Sequence, residues 1–148
     1  METKPANRAD QRGNTFVEAL ASMLVVGIMA AGLVSGFMYT HKQAEWSAYN
    51  LAAQSLALQP IEQARFAKWD AYAHPPVDQL WNSNFPSTTN ILDIPVSGTN
   101  IVYATNRVNI RLVSTNPPLK EISVVTTWAF MYRGVFSNTA VTYRAPDQ

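Results

Sequence analysis

The sequence predicts an α+β fold. One long N-terminal helix, membrane-spanning in its first half, packs through its second half on a small antiparallel sheet of three to four strands. Three observations predict it. Residues 19–39 are 21 consecutive residues without a charge. Residues 41–70 are rich in alanine and other helix formers and contain no glycine and one proline. From residue 108 onward apolar and polar side chains alternate with the period of a half-buried strand.

The chain has 148 residues, which sets one domain as the prior. Its 47% hydrophobic and 14% charged content looks ordinary, but the average hides the apolar run. Outside that run the composition is that of a polar, soluble chain. About a hundred residues are left to build a small core. There is no cysteine, which excludes disulfides and thiolate metal sites. A domain of this kind holds together by packing, and export is compatible with that.

Residues 1–13 are polar, contain Pro5 and show neither helical nor strand periodicity. They carry Lys4, Arg8 and Arg12 against Glu2 and Asp10. Without them, three of the 11 basic and two of the 10 acidic residues are gone, and eight of each remain. The rest of the chain is therefore neutral. No basic tail or stripe points to nucleic acid, and no nucleic-acid partner is expected.

Residues 14–40 read as a transmembrane helix. A hydrocarbon core of about 30 Å needs about 20 apolar residues. A secretory signal has an apolar region of only about 7–15 residues, followed by a small-residue cleavage site. The run here is longer and no such site follows, so the segment is a retained anchor. Three basic residues precede it and only Lys42 follows closely, which predicts a cytoplasmic N-terminus and an exported C-terminal domain.

Glu18 stands at the edge of the apolar run. One reading has it snorkelling at the interface, favoured by the helix N-terminus. The other has it inside the membrane as a carboxylate awaiting a cation, since a lone charge there costs roughly 2.5–3.5 kcal/mol. An α-amino group created at Asn14, four residues away, would be such a cation. Small residues recur at four-residue spacing, with Gly32 and Gly36 in one row and Gly27, Ala31 and Ser35 in another. Such rows allow close helix approach in lipid, although glycine is frequent in membrane helices anyway.

Residues 41–70 read as an exported continuation of the helix, with Leu51, Leu58, Ile61 and Phe66 near helical spacing. Residues 15–59 alone would make about 68 Å of helix at 1.5 Å per residue, twice a bilayer core. Pro60 removes a backbone donor, which predicts a kink or short break there, with helix resuming to about Trp69.

Residues 71–148 read as a loop and sheet domain. Pro75, Pro76, Pro86 and Pro95 mark a loop, with one helical turn near residues 77–81 and a short strand at 91–96. Trp69, Trp81 and Phe85 are expected to cover the core edge. Val108, Ile110 and Leu112 open the first long strand, Pro117-Pro118 turns it, and residues 122–132 return. Arg133-Gly134 signals a second tight turn into a strand over 135–143.

No catalytic constellation accompanies this pattern, and no enzymatic activity, cofactor or metal is expected. His41 and His74 have no partner at ligand spacing, and there is no nucleophile motif or phosphate-binding glycine loop. Asp78, Asp93 and Asp147 form no calcium-ligand series. Arg107 and Arg111 share a strand face, with Arg133 and Arg144 as candidate neighbours. A solvated sheet face explains them as well as a basic patch does.

Read together, Gly13-Asn14-Thr15-Phe16-Val17-Glu18-Ala19-Leu20 and the apolar run resemble the N-terminus of type IV pilins and pseudopilins. That pattern is a polar basic leader, a glycine, a glutamate at the fifth place after it and about 20 apolar residues. The resemblance covers roughly the first third of the chain. It implies cleavage of residues 1–13 by a prepilin peptidase between Gly13 and Asn14, and methylation of the new Asn14 amine. It also implies that Glu18, with Phe16 beside it, acts in assembly, the carboxylate neutralising a neighbouring subunit's N-terminal amine. The family usually has Phe as first mature residue, and Asn14 departs from this in the manner of minor subunits. The expected partners are then prepilin peptidase, other pilin-like subunits, an inner-membrane assembly platform and the lipid bilayer. The expected role is that of a minor pseudopilin in a type II secretion system, in the inner membrane with a periplasmic domain. A minor pilin of a type IV pilus, for adhesion or DNA uptake, and a signal-anchored periplasmic binding domain are the alternatives.

Overall fold

The computed structural model describes the backbone of residues 8–93, 101–131 and 133–147, and side chains from residue 15 onward within these ranges. Helix α1 runs Arg8–Phe66. Short strands β1 (Trp69–Asp70) and β2 (Val77–Asp78) pair antiparallel, and a 3-10 turn follows at Asn82–Asn84. Strands β3 (Thr88–Asp93), β4 (Val102–Thr115), β5 (Pro118–Phe130) and β6 (Gly134–Arg144) form an antiparallel sheet in sequential order. The fold is α+β, with one long helix and a four-stranded sheet. Two compact units divide it, Met1–Ala44 and Glu45–Gln148. The boundary falls a few residues beyond the apolar run.

In the second unit, α1 lies on the sheet through Tyr49, Ala53, Ala57, Ile61 and Ala64, spaced close to one helical turn. The alanines are fully buried, and their small side chains bring the helix close to the large residues of β5, Ile122, Val124 and Trp128. Strand β5 alternates inward and outward without interruption from Lys120 to Phe130. It runs opposite to α1: Phe130 and Trp128 meet Tyr49, Val124 meets Ala57 and Ile61, and Ile122 clusters with Ala64.

Two sequence expectations change here, and the face of the helix becomes clear. Leu51, Leu58 and Phe66 do not face the core; they are 62%, 48% and 87% exposed, and only Ile61 of that set is buried. The sheet already presents bulky side chains, so the helix contributes small ones. Of the kink or short break expected at Pro60, the break is absent: the helix is continuous through it and ends at Phe66 rather than Trp69. The reason lies across the interface. Pro60 cannot donate to the Leu56 carbonyl one turn earlier. Asn106 of β4 donates instead, with Nδ2 2.9 Å from that oxygen. Asn106 Oδ1 in turn accepts from Thr126 Oγ1 of β5 at 2.6 Å, and both side chains are buried. Finally, the turn expected near residues 77–81 is strand β2 followed by the 3-10 turn.

The loop strand expected at 91–96 is found as β3; its residues 94–96 lie outside the described residues, as does Tyr132 of the strand expected over 122–132. Pro117 and Pro118 turn the chain through a cis Asn116-Pro117 bond. Gly134 has φ 104°, a left-handed conformation that favours glycine, and opens β6 after the turn.

The end of α1 is held from the C-terminal segment. Arg144 Nη1 donates to the Ala64 carbonyl at 2.5 Å, one of the acceptors a helix end leaves open, and to that of Ala67 just beyond the helix. Arg144 Nη2 reaches Asp147 at 2.6 Å. Asp147 also accepts the Trp69 amide at 2.9 Å, and that bond first, then Arg144, holds its carboxyl below the usual range.

Candidate functional site: the apolar helix and its flanking groups

Every described side chain from Thr15 to Glu45 is exposed, and none of the apolar window is buried within the chain. The helix is long and apolar enough to cross a membrane. Two of its hydroxyls bond inward to the helix itself. Ser22 Oγ donates to the Glu18 carbonyl at 2.8 Å, and Thr40 Oγ1 to the Phe37 carbonyl at 2.9 Å. That is the arrangement required where no water can satisfy a hydroxyl.

Glu18 is exposed, and no basic side chain meets it among the described residues. Gly13 and Asn14 belong to the backbone of α1, but their side chains, and residues 1–7, lie outside what is described. Asn14 and Glu18 are one turn apart on the helix and share a face. Glu18 and Gly36 are 18 residues apart, about five turns at 3.6 residues each, so they share a face too. Gly32 is one turn before Gly36. The row of Gly27, Ala31 and Ser35 lies roughly a third of the way around.

A side chain added at Gly27, Gly32 or Gly36 would meet no atom within 4 Å. Nothing inside the chain requires glycine there, although each costs roughly 1 kcal/mol of helix propensity against alanine. Phe16 is 66% exposed beside Glu18. Alpha-helical geometry thus collects Glu18, Gly32 and Gly36 on one unburied face.

The remaining candidates separate. Arg111 forms a two-pronged pair with Glu121 at 2.7 and 2.9 Å, and Tyr143 donates to the same carboxylate. That pair first, then Tyr143, lowers the Glu121 pKa. Arg144 faces the helix end, and Arg107 and Arg133 are exposed. The four arginines therefore do not act as one patch. His41 stacks on Phe37 with ring centroids 6.4 Å apart. Among the described residues no group of three or more His, Asp or Glu is placed to hold a metal.

Two clusters escaped the sequence reading. Lys120 is buried, with Nζ 2.5 Å from Asp78 Oδ2 and 2.7 Å from the Leu80 carbonyl. It sits 5.0 Å from the Trp69 ring and 4.5 Å from the Trp81 ring. Its signal was present, since the inward register of Ile122 and Val124 extends back to position 120. Tyr49 donates to Asp93, and Glu45 Oε1 lies 3.2 Å from the same hydroxyl. Burial, followed by the Asp93 carboxylate, pushes its phenol upward.

No family model, curated protein or solved structure matches this chain.

Proposed function

We propose that this chain is a minor pilin-like subunit, a pseudopilin of a type II secretion system, cleaved after Gly13 and assembled through its apolar helix. The observation that carries the reading is an apolar helical surface with no burial in its own chain, opened by a single carboxylate. Such a surface is satisfied by lipid before assembly and by other helices afterward. The carboxylate finds its counter-charge in a neighbour's Asn14 amine, because a paired charge is tolerated in low dielectric and a lone one is not. In the second unit the helix also carries exposed leucines, Leu51 and Leu58, two turns apart and turned away from the sheet. In this reading the N-terminus is cytoplasmic and the sheet domain periplasmic. The protein has a structural role.

The test is the intact mass and N-terminal sequence after co-expression with a prepilin peptidase. The expected product begins at Asn14 and carries a methyl group. An uncut chain, beside a second substrate that is cut, would refute the reading and leave a plain signal-anchored protein. Removing the charge separates processing from assembly. Glu18→Val should be cleaved as the parent chain is, yet be recovered with other subunits in sheared filaments at a small fraction of the parent amount. Normal incorporation of that variant would show that the carboxylate pairs with nothing in the filament.

A further inference from the structure

We propose that copies of this chain join side by side through their sheets, strand β6 of one copy pairing antiparallel with strand β3 of the next. This deepens the assembly part of the reading above and rests on it only for the crowding of copies in a membrane. Its test depends neither on cleavage nor on Glu18.

The two edges of the sheet differ. Among the described residues, β6 pairs with β5 alone and β3 with β4 alone. A bare edge presents a row of unpaired N–H and C=O groups, and proteins ordinarily blunt it with charge, proline or a bulge. Strand β6 runs for 11 residues without proline or bulge. Its one charged side chain, Arg144, is turned to the end of α1. Strand β3 has six residues and is regular over 88–91 before a bulge.

Topology decides how the edges match. Every neighbouring pair in the four-stranded sheet is antiparallel, so β3 and β6, at opposite edges, run in opposite directions. A second copy set beside the first in the same orientation therefore offers its β3 to β6 antiparallel. The α1 segments of the two sheet units then run parallel.

The outer face of the sheet sets the register. Its side chains alternate with the buried Ala104, Thr126 and Trp128. Thr89, Thr105, Thr127 and Ser137 lie opposite one another there, a row of hydroxyls across all four strands. The next row begins with Ile91 opposite Tyr103 and ends with Ala129 opposite Val135. A copy placed alongside continues both rows, Ser137 meeting Thr89 and Val135 meeting Ile91 of the next copy. Val135 is 75% exposed and Ile91 52%, and this pairing covers each with the other.

Charge agrees with that register. Arg133, just before β6, is exposed and has no acidic partner among the described residues. It arrives at the far end of β3, where Asp93 and Glu45 of the next copy flank the Tyr49 hydroxyl. Two fully overlapped β6 strands would instead set Ser137 against Val141 and bring Arg133 toward Arg144. Each copy binds through one edge and offers the other, so the contact is heterologous and open-ended. Residues 135–138 face residues 88–91, less than the roughly 1,000 Å² that a stable interface needs. The contact therefore forms where copies are already crowded together, as in a membrane.

The chain has no cysteine, so introduced cysteines alone report the contact. Full-length Val135→Cys and Ile91→Cys chains with different tags are co-expressed, and the membranes are oxidised with copper–phenanthroline. Paired Cα atoms on neighbouring strands are about 4.5–5.5 Å apart, within disulfide range. A dimer carrying both tags should form several-fold more than from Thr139→Cys with Ile91→Cys, whose sites would be offset by about 13 Å along the strands. The double variant Ile91→Cys/Val135→Cys should give a ladder of dimers, trimers and larger species. Within one chain its two sites are three strand spacings apart, about 14 Å, too far to close on each other. A mixed dimer no more abundant than the Thr139 control would overturn the inference. With the N-terminus cut as expected, that result would leave the reading above standing. Thr139→Cys chains linking to one another more than Val135→Cys links to Ile91→Cys would show two β6 edges paired, and would overturn it too.

Discussion

Asp78→Ala should destabilise the sheet domain by about 2–4 kcal/mol, somewhat below the roughly 3–5 kcal/mol for breaking a fully buried ion pair. Lys120 is the reason. Its ammonium is buried, and its charge is balanced by one carboxylate, one carbonyl and two indole faces. Removing Asp78 leaves the charge in place without its counter-ion. It also removes the acceptor of the Leu80 amide, 2.9 Å away. The discount from the full range reflects Asp78 being a quarter exposed, so that water can enter and partly replace it. Lys120→Met removes the charge itself and keeps most of the packing against Trp69 and Trp81. What stays behind is the Leu80 carbonyl and a partly solvated carboxylate, at a cost of about 1 kcal/mol. The order of the two variants is therefore the test, read from denaturant unfolding of the full chain in detergent micelles. If Lys120→Met proves the more damaging, the lysine is a stabilising hub rather than a charge that needs its partner. The double variant should fall below Lys120→Met alone only by the loss of the Leu80 amide bond, about 1 kcal/mol.

The legibility of this fold in the sequence followed the length of each pattern. The uncharged run and the alternation of β5 persist over many residues, so composition and period alone place the apolar helix and the central strand. On the domain face of α1, hydrophobicity does not track burial. At a helix–sheet contact where the strands supply Trp128, Val124 and Ile122, alanine is the buried residue and leucine the exposed one. The alanines at 53, 57 and 64 were visible, and their four- and seven-residue spacing was the better guide. The polar contacts were not readable at all. Asn106 meets Leu56 across 50 positions, and Arg144 reaches Ala64 across 80. No local pattern encodes such pairings. Of the candidate site, the positions of Glu18, Gly32 and Gly36 on one face follow from helix geometry alone. What meets that face is a property of other molecules.

Pro60 offers the sharpest case of a local rule overridden by tertiary structure, and it gives the second large effect. A proline inside a helix normally costs about 3 kcal/mol, part of it through the orphaned carbonyl one turn back. Here the Leu56 carbonyl has been adopted by Asn106, which is itself fixed by Thr126. Asn106→Leu keeps the volume but leaves that carbonyl and the Thr126 hydroxyl without partners. Each such loss is worth about 1–3 kcal/mol when the group is buried. The variant should lose about 3 kcal/mol in total. Pro60→Ala restores a backbone N–H to the helix, so the Leu56 oxygen regains its ordinary donor. In the Asn106→Leu background this second change should recover at least about 1 kcal/mol more than it does in the parent chain. Residues acting through one shared acceptor are expected to be coupled in this way. Unfolding of the parent, both single variants and the double variant closes the cycle. Additive costs would mean that Asn106 and Pro60 answer to different constraints, and that the helix tolerates its proline for some other reason. A positive coupling would identify the sheet as the source of the hydrogen bond that the helix gave up.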